Sequence, residues 1–445
     1  MLRRFVITIA ALVACAAPAY AAPVLLISID GLRPGDVLEA EQRGLKVPNL
    51  REFVTRGAYA TGVVGVLPTV TYPSHTTLIT GASPARHGIF SNTTFDPLQI
   101  NATGWFWFAS DIKLPTLWSV AAAAGITVAN VHWPVSVAAK GVTWNLPQIW
   151  RTGHADDAKL LGALATPGLI PALEAATGAP YAQGIDETIE GDENRARFAA
   201  ALIRRHRPGF ATVYLAGLDH QQHQDGPGTP SAQAVLERID TAVGLVIRAE
   251  RAAHPDAVIA VVSDHGFAPV TRDTNLFRAF IDAGLITLDG GGKIKGWEAM
   301  PWPAGGSAAV VLAQPGDPAA QQRVAALLAQ LKADPANGIA AIATIQKIAA
   351  MHGNPAASFF VDFALGTEAG RFADQAGGLT RAAPIKGTHG WFPANPAMRS
   401  TFLIMGPGIP ARRSLGEIDM RSIAPTLARI MHVRLSGAEL GPLVF

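Results

Sequence analysis

Three aspartates in the sequence each follow an apolar stretch that is typical of a buried strand. Asp30 ends the run Pro-Val-Leu-Leu-Ile-Ser-Ile-Asp, Asp264 ends Ala-Val-Ile-Ala-Val-Val-Ser-Asp, and Asp219 follows Phe-Ala-Thr-Val-Tyr-Leu-Ala-Gly-Leu. The carboxyl ends of strands in an open parallel sheet line the crevice where ligands bind, so the three carboxylates are expected at one rim. Because like charges repel there, the pattern predicts a cation among them.

Histidines accompany these aspartates. His223 lies four residues after Asp219, His265 comes directly after Asp264, and His389 lies in the glycine-flanked turn Gly-Thr-His-Gly. Imidazole nitrogen and carboxylate oxygen are ligands of zinc, which keeps a coordination position open in catalytic sites. The pattern therefore predicts a zinc centre. Four other histidines are interpreted as packing residues or as supports behind the ligands: His75, His87, His132 and His220.

A hydroxyl group is predicted at the start of a helix. Thr71 precedes Pro73, and proline is favoured in the first helical turn, while Gly81 and Pro84 mark the end of the segment. Free N–H groups and the helix dipole favour negative charge at such an end. The segment therefore suits an alkoxide nucleophile or a bound phosphate, and an ordinary helix cap is the alternative.

The charges of these residues predict a reaction class. Two zinc ions would balance three aspartates and a deprotonated Thr71, so the centre would be close to neutral. In two-metal hydrolysis, ions about 4 Å apart activate the nucleophile and stabilise the leaving oxygen of a phosphate ester. Metal coordination also lowers the pKa of a hydroxyl that is otherwise a poor nucleophile. The residues thus indicate a hydrolase of phosphate esters.

The elements that must position these residues alternate between strand and helix, which predicts an α/β fold with a parallel sheet flanked by helices. Strands are predicted at residues 23–30, 59–66, 126–132, 210–216, 257–263 and 401–405, and helices at 49–56, 114–125, 193–205, 232–253 and 420–431. Residues 135–190 are interpreted as an insertion that caps the sheet rather than part of it. Residues 280–384 are interpreted as a small α+β insertion, with strands at 308–312 and 359–363 and a helix at 319–331.

The composition and the N-terminal residues limit the classes of protein to which the chain can belong. The 445 residues are 49% hydrophobic and 16% charged, which is typical of a globular protein. The net charge is +2, and the basic run Arg204-Arg-His-Arg is interpreted as a solvated helix end rather than a binding patch, which argues against a stable complex with nucleic acid. Residues 1–22 are typical of a signal peptide, with Arg3 and Arg4, an apolar run to Ala17, and Ala-Tyr-Ala before the expected cleavage.

We therefore expect a catalytic domain at residues 23–445 that works in the periplasm or is secreted, with no transmembrane segment in the mature protein. The single cysteine, Cys15, follows Leu-Val-Ala, which is similar to a lipoprotein cleavage box. Lipid anchoring at Cys15 is the alternative to simple export. The sequence gives no oligomeric state.

Six short motifs occur in order along the chain: Asp30-Gly-Leu-Arg-Pro, Pro68-Thr-Val-Thr-Tyr-Pro-Ser-His, Ser83-Pro-Ala-Arg-His-Gly-Ile, Asp219-x3-His, Ser263-Asp-His-Gly and Gly387-Thr-His-Gly. Together they resemble the nucleotide pyrophosphatase/phosphodiesterase family of the alkaline phosphatase superfamily. The resemblance implies an alkaline-phosphatase-like three-layer sandwich, with a mostly parallel central sheet flanked by helices and a small α+β insertion. It also implies phosphodiester or pyrophosphate hydrolysis, with small nucleotide-type phosphate esters as substrates.

By this resemblance, Thr71 is the nucleophile and forms a phosphothreonine intermediate. The zinc ion that activates it would be held by Asp30, Thr71, Asp264 and His265. The zinc ion on the leaving-group side would be held by Asp219, His223 and His389.

Three further residues match substrate-binding positions of the family. Asn92 would steady a non-bridging phosphate oxygen, with a turn residue or a glycosylation site as the alternative. Tyr72 and Tyr214 match positions where nucleotide-cleaving members place aromatic rings against a base, although a tyrosine in a strand such as Tyr214 is often only a core residue.

Two other functions stay open at this stage. A phosphomonoesterase of the same superfamily would need additional positive charge for its dianionic substrate, and Arg33 and Lys386 are the nearby candidates in the sequence. An inert zinc-binding protein outside the cytoplasm is the other alternative. The residues Ala216-Gly-Leu before Asp219 depart from the usual family context, which leaves the leaving group open.

Overall fold

The computed structural model describes residues 21–101, 104–151 and 153–445. The signal peptide predicted at residues 1–22 lies outside the described residues except for its last two, and Cys15 lies outside them altogether. Among the described residues, no single helix has the length and apolarity needed to cross a membrane. One sharply bent pair of helices, Asp157–Leu164 and Leu169–Thr177, meets that test by length and composition alone.

An eight-stranded sheet forms the centre of the main unit. From one edge to the other, its strands are Arg413–Ser414, Ala58–Tyr59, Phe402–Met405, Val258–Val262, Val24–Ile29, Phe210–Leu215, Val128–Val131 and Trp144–Leu146. Of these eight, Phe402–Met405 alone pairs antiparallel with both neighbours. The sheet is therefore mostly parallel, and the fully buried, apolar strand Val24–Ile29 is typical of such a sheet.

Helices cover both faces of this sheet. Successive residues of a strand point to opposite faces, so Leu25 and Ile27 join one hydrophobic cluster while Val24 and Leu26 join the other. The helices packed on the first face include Pro48–Arg56, Ile189–His206 and Pro230–Ala253. Those on the second face include Thr71–Thr80, Leu117–Ala123 and Ile423–Ile430. The result is the predicted three-layer arrangement.

A smaller unit comes after helix Pro230–Ala253 in the chain. Its antiparallel sheet has the order Ala299–Ala304, Ser307–Leu312, Ala357–Phe363 and Ile339–Thr344, and it packs with helix Pro318–Ala333 around a separate core. This unit has the α+β character predicted for residues 280–384. Strand Ala268–Thr274 pairs with Gly366–Ala369, Thr380–Ala382 and Gly387–Thr388, and so connects the smaller unit to the main one.

Two sequence predictions about strands were wrong. Within residues 135–190, Trp144–Leu146 is not part of a cap: it pairs parallel with Val128–Val131 as an edge strand of the central sheet. A strand of three residues is too short to show a periodic pattern. Residues 59–66 form two strands rather than one, since Ala58–Tyr59 joins the central sheet while Gly62–Val64 pairs with Glu417–Asp419.

Candidate metal centre

The three predicted aspartates meet at one rim of the central sheet. Asp30 and Asp264 follow the neighbouring strands Val24–Ile29 and Val258–Val262, which pair directly. Asp219 lies in the first turn of helix Gly217–Asp225, just beyond the strand on the other side of Val24–Ile29. His223 is one helical turn after Asp219, so both side chains share one face of that helix.

The first group of possible ligands is Asp30, Asp264 and His265, and all three are buried. Nε2 of His265 lies 3.3 Å from Oδ1 of Asp30 and 3.1 Å from Oδ2 of Asp264. The hydroxyl oxygen of Thr71 lies 3.5 Å from the same nitrogen. The structure therefore brings the predicted nucleophile beside this group.

The second group is Asp219, His223 and His389. Nε2 of His223 lies 3.3 Å from Oδ2 of Asp219, and Nε2 of His389 lies 3.6 Å from Oδ1 of Asp219. The rings of His265 and His389 stack with centroids 3.6 Å apart, so the two groups adjoin. All six predicted ligands thus come together in the two sets expected, and their binding of zinc remains a prediction.

The three histidines of these groups share one hydrogen-bond pattern. Nδ1 of His223 is 2.9 Å from the carbonyl oxygen of Gly387. The corresponding distances are 3.1 Å from His265 to Gly266 and 3.2 Å from His389 to Thr69. Donation from each Nδ1–H leaves a lone pair on Nε2, the arrangement found in metal-binding histidines. Because these lone pairs face carboxylates, a proton or a metal ion must lie between them.

The carboxylate oxygens also indicate that a proton or a metal ion belongs between these groups. One oxygen on each aspartate is buried and has no hydrogen-bond partner among the described residues: Asp30 Oδ1, Asp219 Oδ1 and Asp264 Oδ2. Burial, and then the charge of Asp264, raise the pKa of Asp30 well above its usual value. Burial and the neighbouring His265 lower the pKa of His389 to about 3, so His389 stays a neutral ligand. Divalent cations would compensate the carboxylates and use all of these free atoms.

Thr71 begins the helix Thr71–Thr80, as predicted, and Gly81 follows in the left-handed conformation with φ +68°. The backbone N–H of Tyr72 donates to Oδ1 of Asn92 at 2.9 Å. Since this contact fixes which end of the amide is the acceptor, the Nδ2 group of Asn92 is left to donate to a ligand. Asn92 therefore lies close to Thr71, its Nδ2 group donates no hydrogen bond within the part of the chain that the structure describes, and its phosphate-binding role remains a prediction.

A turn of the smaller unit braces His389. The N–H of Gly306 donates to the carbonyl oxygen of His389 at 2.7 Å. Gly390, which follows His389 in the chain, has φ +96°, and a Cβ there would lie 1.8 Å from the carbonyl oxygen of Ala304. Only glycine fits this close approach, which explains the glycine after the predicted histidine ligand.

The sequence model described as type I phosphodiesterase/nucleotide pyrophosphatase matches residues 24–391. The chain belongs to this family. The match confirms the resemblance inferred from the six motifs.

Known relatives show how much of the chain the similarity covers. Rat ectonucleotide pyrophosphatase/phosphodiesterase family member 3 is 25% identical over 261 residues, which are 56% of this chain and 25% of the relative. Venom phosphodiesterase 2 of Crotalus adamanteus is 23% identical over 269 residues, which are 58% of this chain and 28% of the relative. The alignments thus span about a quarter of these longer proteins.

Solved structures of the family show the fold. Human ectonucleotide pyrophosphatase/phosphodiesterase 5 superposes with a TM-score of 0.66 at 18% identity, over 95% of this chain and 97% of that one. An inactive form of the murine protein in complex with AMP has the same TM-score at 17% identity, over 95% and 98% of the two chains. The alkaline-phosphatase-like fold predicted from the sequence is confirmed.

The two predicted substrate-contacting tyrosines lie in different surroundings. Tyr214 is 2% exposed, its ring packs against His75 and His132, and its hydroxyl donates to Asp30. The hydroxyl contact makes Tyr214 a support for the predicted ligand Asp30, and the residue also lines the cavity beside Thr71. Its contact with a base remains a prediction. Tyr72 lies beside Trp105 with ring centroids 5.3 Å apart, and its contact with a base remains a prediction.

The four histidines interpreted as packing or supporting residues lie outside both ligand groups. His75, for example, lies 2.8 Å from the hydroxyl of Ser28 and 2.8 Å from the carbonyl oxygen of Thr71. It therefore supports the start of the helix that carries the nucleophile.

Sequence reasoning missed a buried ion pair that positions Asp219. The carboxylate of Asp192 accepts from the N–H groups of Ala216 at 2.8 Å and Gly217 at 2.7 Å, and it pairs with Arg195. These contacts hold the turn from which the helix carrying Asp219 begins. Asp192 lies one residue before the helix predicted at 193–205, and an acidic residue near a helix start is too common to signal such a role.

Two cavities meet at the centre. The smaller, about 110 Å³, reaches Thr71, and the larger, about 590 Å³, reaches the smaller unit. They share Asn92, Trp105, His223 and His389 in their walls. A substrate at the centre would therefore have room on two sides.

Proposed function

We propose that this protein is an exported, two-zinc hydrolase of phosphodiester or pyrophosphate bonds with nucleotide-type substrates. The observation that carries the proposal is the pair of three-residue ligand groups at one rim, beside a threonine hydroxyl at a helix N-terminus. Family membership supports the reaction class. The signal-like residues 1–22 support export to the periplasm or the medium.

Bound at the two groups, zinc ions would compensate the carboxylates and polarise the phosphate ester. Thr71 Oγ1 attacks phosphorus, the bond from phosphorus to the leaving oxygen breaks, and the proton lost from the threonine hydroxyl passes to that leaving oxygen. Water then attacks the phosphothreonine, the bond from phosphorus to Oγ1 breaks, and the hydroxyl is restored. The N-terminus of helix Thr71–Thr80 at Thr71 and the Nδ2 group of Asn92 would stabilise charge on the non-bridging oxygens.

The charges near Thr71 support a diester rather than a monoester substrate. A monoester dianion requires additional cations beyond the ligand groups. Arg33, one candidate from the sequence, is bound by Asp36 through contacts of 2.7 and 2.8 Å. Lys386, the other candidate, is exposed on the surface. The phosphomonoesterase alternative therefore has weaker support.

A comparison of bis-p-nitrophenyl phosphate with p-nitrophenyl phosphate tests the proposal. We expect kcat/KM to be roughly tenfold or more higher for the diester, and Thr71→Ala to lower it by roughly a thousandfold or more, as for other lost nucleophiles. Thr55→Ala, an exposed threonine on helix Pro48–Arg56, is the matched control and should keep the wild-type rate. Equal turnover by Thr71→Ala would refute the nucleophile, and a strong monoester preference would favour the phosphomonoesterase.

A further inference from the structure

The smaller cavity contains the attacking hydroxyl, and so it also receives the groups that stay on phosphorus. Thr71 and Asn92 both lie in its wall. If the proposed function holds, Thr71 Oγ1 attacks phosphorus from within this cavity, and the leaving group departs on the opposite side. The groups retained on phosphorus therefore face the walls of the smaller cavity, and the charge of those walls affects which retained groups are tolerated.

A glutamate lies in this wall in addition to the predicted metal ligands. Glu187 lines the smaller cavity, belongs to neither ligand group, and has a side chain that is 31% exposed. Its Oε2 lies 3.0 Å from Nδ1 of His220, while its Oε1 has no hydrogen-bond partner among the described residues. One oxygen of this carboxylate is therefore unpaired beside the reacting centre.

The other residues of the wall do not compensate this carboxylate. Among the residues that the structure describes, no lysine or arginine lines the smaller cavity. Nε2 of His220 lies 2.8 Å from the amide nitrogen of Gln224, which donates to it, so the ring of His220 is neutral and donates its Nδ1–H to Glu187. Asp30 and Asp219 also line the cavity, but their charge is the one that bound cations would compensate.

The loop that carries Glu187 is tied to the turn beside the metal ligands. Nη1 of the buried Arg195 donates to the carbonyl oxygens of Gly184 at 2.6 Å and of Asp186 at 2.7 Å. The same guanidinium pairs with Asp192, which holds the first turn of the helix carrying part of the second ligand group. These contacts hold the backbone on both sides of the cavity wall, so the carboxylate of Glu187 stays close to any bound anion.

Phosphate esters differ in the charge that they bring to this cavity. A phosphodiester, or an esterified pyrophosphate, carries one negative charge at the attacked phosphorus. A phosphomonoester carries two above its second pKa of about 6. The additional charge lies on a retained oxygen, where a nearby carboxylate repels it.

We propose that Glu187 excludes phosphomonoesters: its carboxylate repels the second negative charge of a monoester dianion and so makes the centre selective for diesters and pyrophosphates. In this role Glu187 acts against the wrong substrate rather than by binding the right one. The proposal assigns a specificity-determining residue to the hydrolase and rests on the proposed function.

Methyl p-nitrophenyl phosphate and p-nitrophenyl phosphate test this role, because they share a leaving group and differ by one methyl group and one charge. At about pH 9, where the monoester is a dianion, we expect Glu187→Gln to lower the diester-to-monoester ratio of kcat/KM by about tenfold, the size of effect of one charge repelled in a partly exposed site. The change should come chiefly from faster monoester turnover, a gain that misfolding cannot produce. Glu187→Ala, which introduces no amide donor, should lower the ratio by a similar factor.

Glu190→Gln is the matched control, because it makes the same charge change in the same segment of the chain. Glu190 is exposed, pairs with Arg238 and is not among the described residues that line either cavity, so this variant should keep the wild-type ratio. An unchanged ratio in Glu187→Gln, or a fall in that variant but not in Glu187→Ala, overturns the proposal. A wild-type protein that cleaves neither ester would instead refute the proposed function.

Calorimetry with inorganic phosphate measures the charge effect independently of turnover. Phosphate, a dianion at about pH 9, should bind to Glu187→Gln about ten times more tightly than to the wild type, and to Glu190→Gln as it binds to the wild type. Equal phosphate affinity in Glu187→Gln and the wild type contradicts the assignment of Glu187, whether or not either ester is cleaved.

Discussion

Removing the hydroxyl of Tyr214 tests whether its contact with Asp30 supports the first group of predicted metal ligands. The hydroxyl donates to Oδ2 of Asp30, and this contact lowers the pKa of a carboxyl that burial and then Asp264 raise strongly. Tyr214→Phe removes this one oxygen and leaves the packing of the ring against His75 in place. The variant should therefore weaken metal binding with little loss of core packing.

The expected size follows from the chemistry of the contact. A hydrogen bond to a charged group contributes about 1.5–3 kcal/mol, and loss of a support behind a metal ligand typically lowers metal affinity by about 10–100-fold. These two ranges agree, since a tenfold change corresponds to about 1.4 kcal/mol. Competition with a chromophoric zinc chelator measures the affinity directly, and diester turnover at saturating zinc should recover in large part.

Tyr181 supplies a matched control. It is also buried, but its hydroxyl has no hydrogen-bond partner among the described residues. Tyr181→Phe should therefore leave zinc affinity unchanged and either keep or increase stability. Unchanged zinc affinity in Tyr214→Phe, or equal losses in both variants, would refute the argument that this hydroxyl supports Asp30.

Three further outcomes are expected. Burial raises the pKa of Glu250 to about 7 despite Arg207. The folded state therefore favours the protonated form of Glu250. The stability gained from this protonation is lost as the pH rises from the pKa of Glu250 in the unfolded chain to its pKa in the folded protein. Glu250→Gln should then stabilise the protein by roughly 2 kcal/mol more at about pH 8 than at about pH 5 in urea unfolding, and an equal gain at both would contradict this. Gly390→Ala should cost roughly 2–4 kcal/mol and most of the activity. Gly284→Ala, which also has a positive φ but no atom within 4 Å of its added Cβ, should cost only about 1 kcal/mol. Chelation should abolish diester turnover and lower the melting temperature, and zinc at about 100 times its Kd should restore about 2.7 kcal/mol of stability; a chelator without effect would count against the metal centre.

The centre of the fold could be predicted because its signals are local and strong. Val24–Ile29 and Val258–Val262 are continuous apolar runs, and both end near an aspartate, so sequence alone located Asp30 and Asp264 at one rim. The helix start at Thr71 was also evident, since Pro73 and Gly81 mark its two ends. The order of the strands, by contrast, depends on long-range pairing that no single segment encodes.

What could not be predicted depends on contacts between distant segments. Trp144–Leu146 is a strand only because Val128–Val131 lies beside it. The contact of the Tyr214 hydroxyl with Asp30 was not predicted either, because the sequence does not show which way a strand residue points relative to its neighbours.

The unpaired atoms of this protein therefore carry as much functional information as the paired ones. Native structures satisfy nearly all buried polar groups, yet here the free oxygens of three aspartates face Nε2 of His265 and His389 across gaps of 3.1–3.6 Å. Folding alone gives no reason to assemble such a set, because each unmatched charge opposes burial. Cations bound there, as proposed, would recover the stability lost.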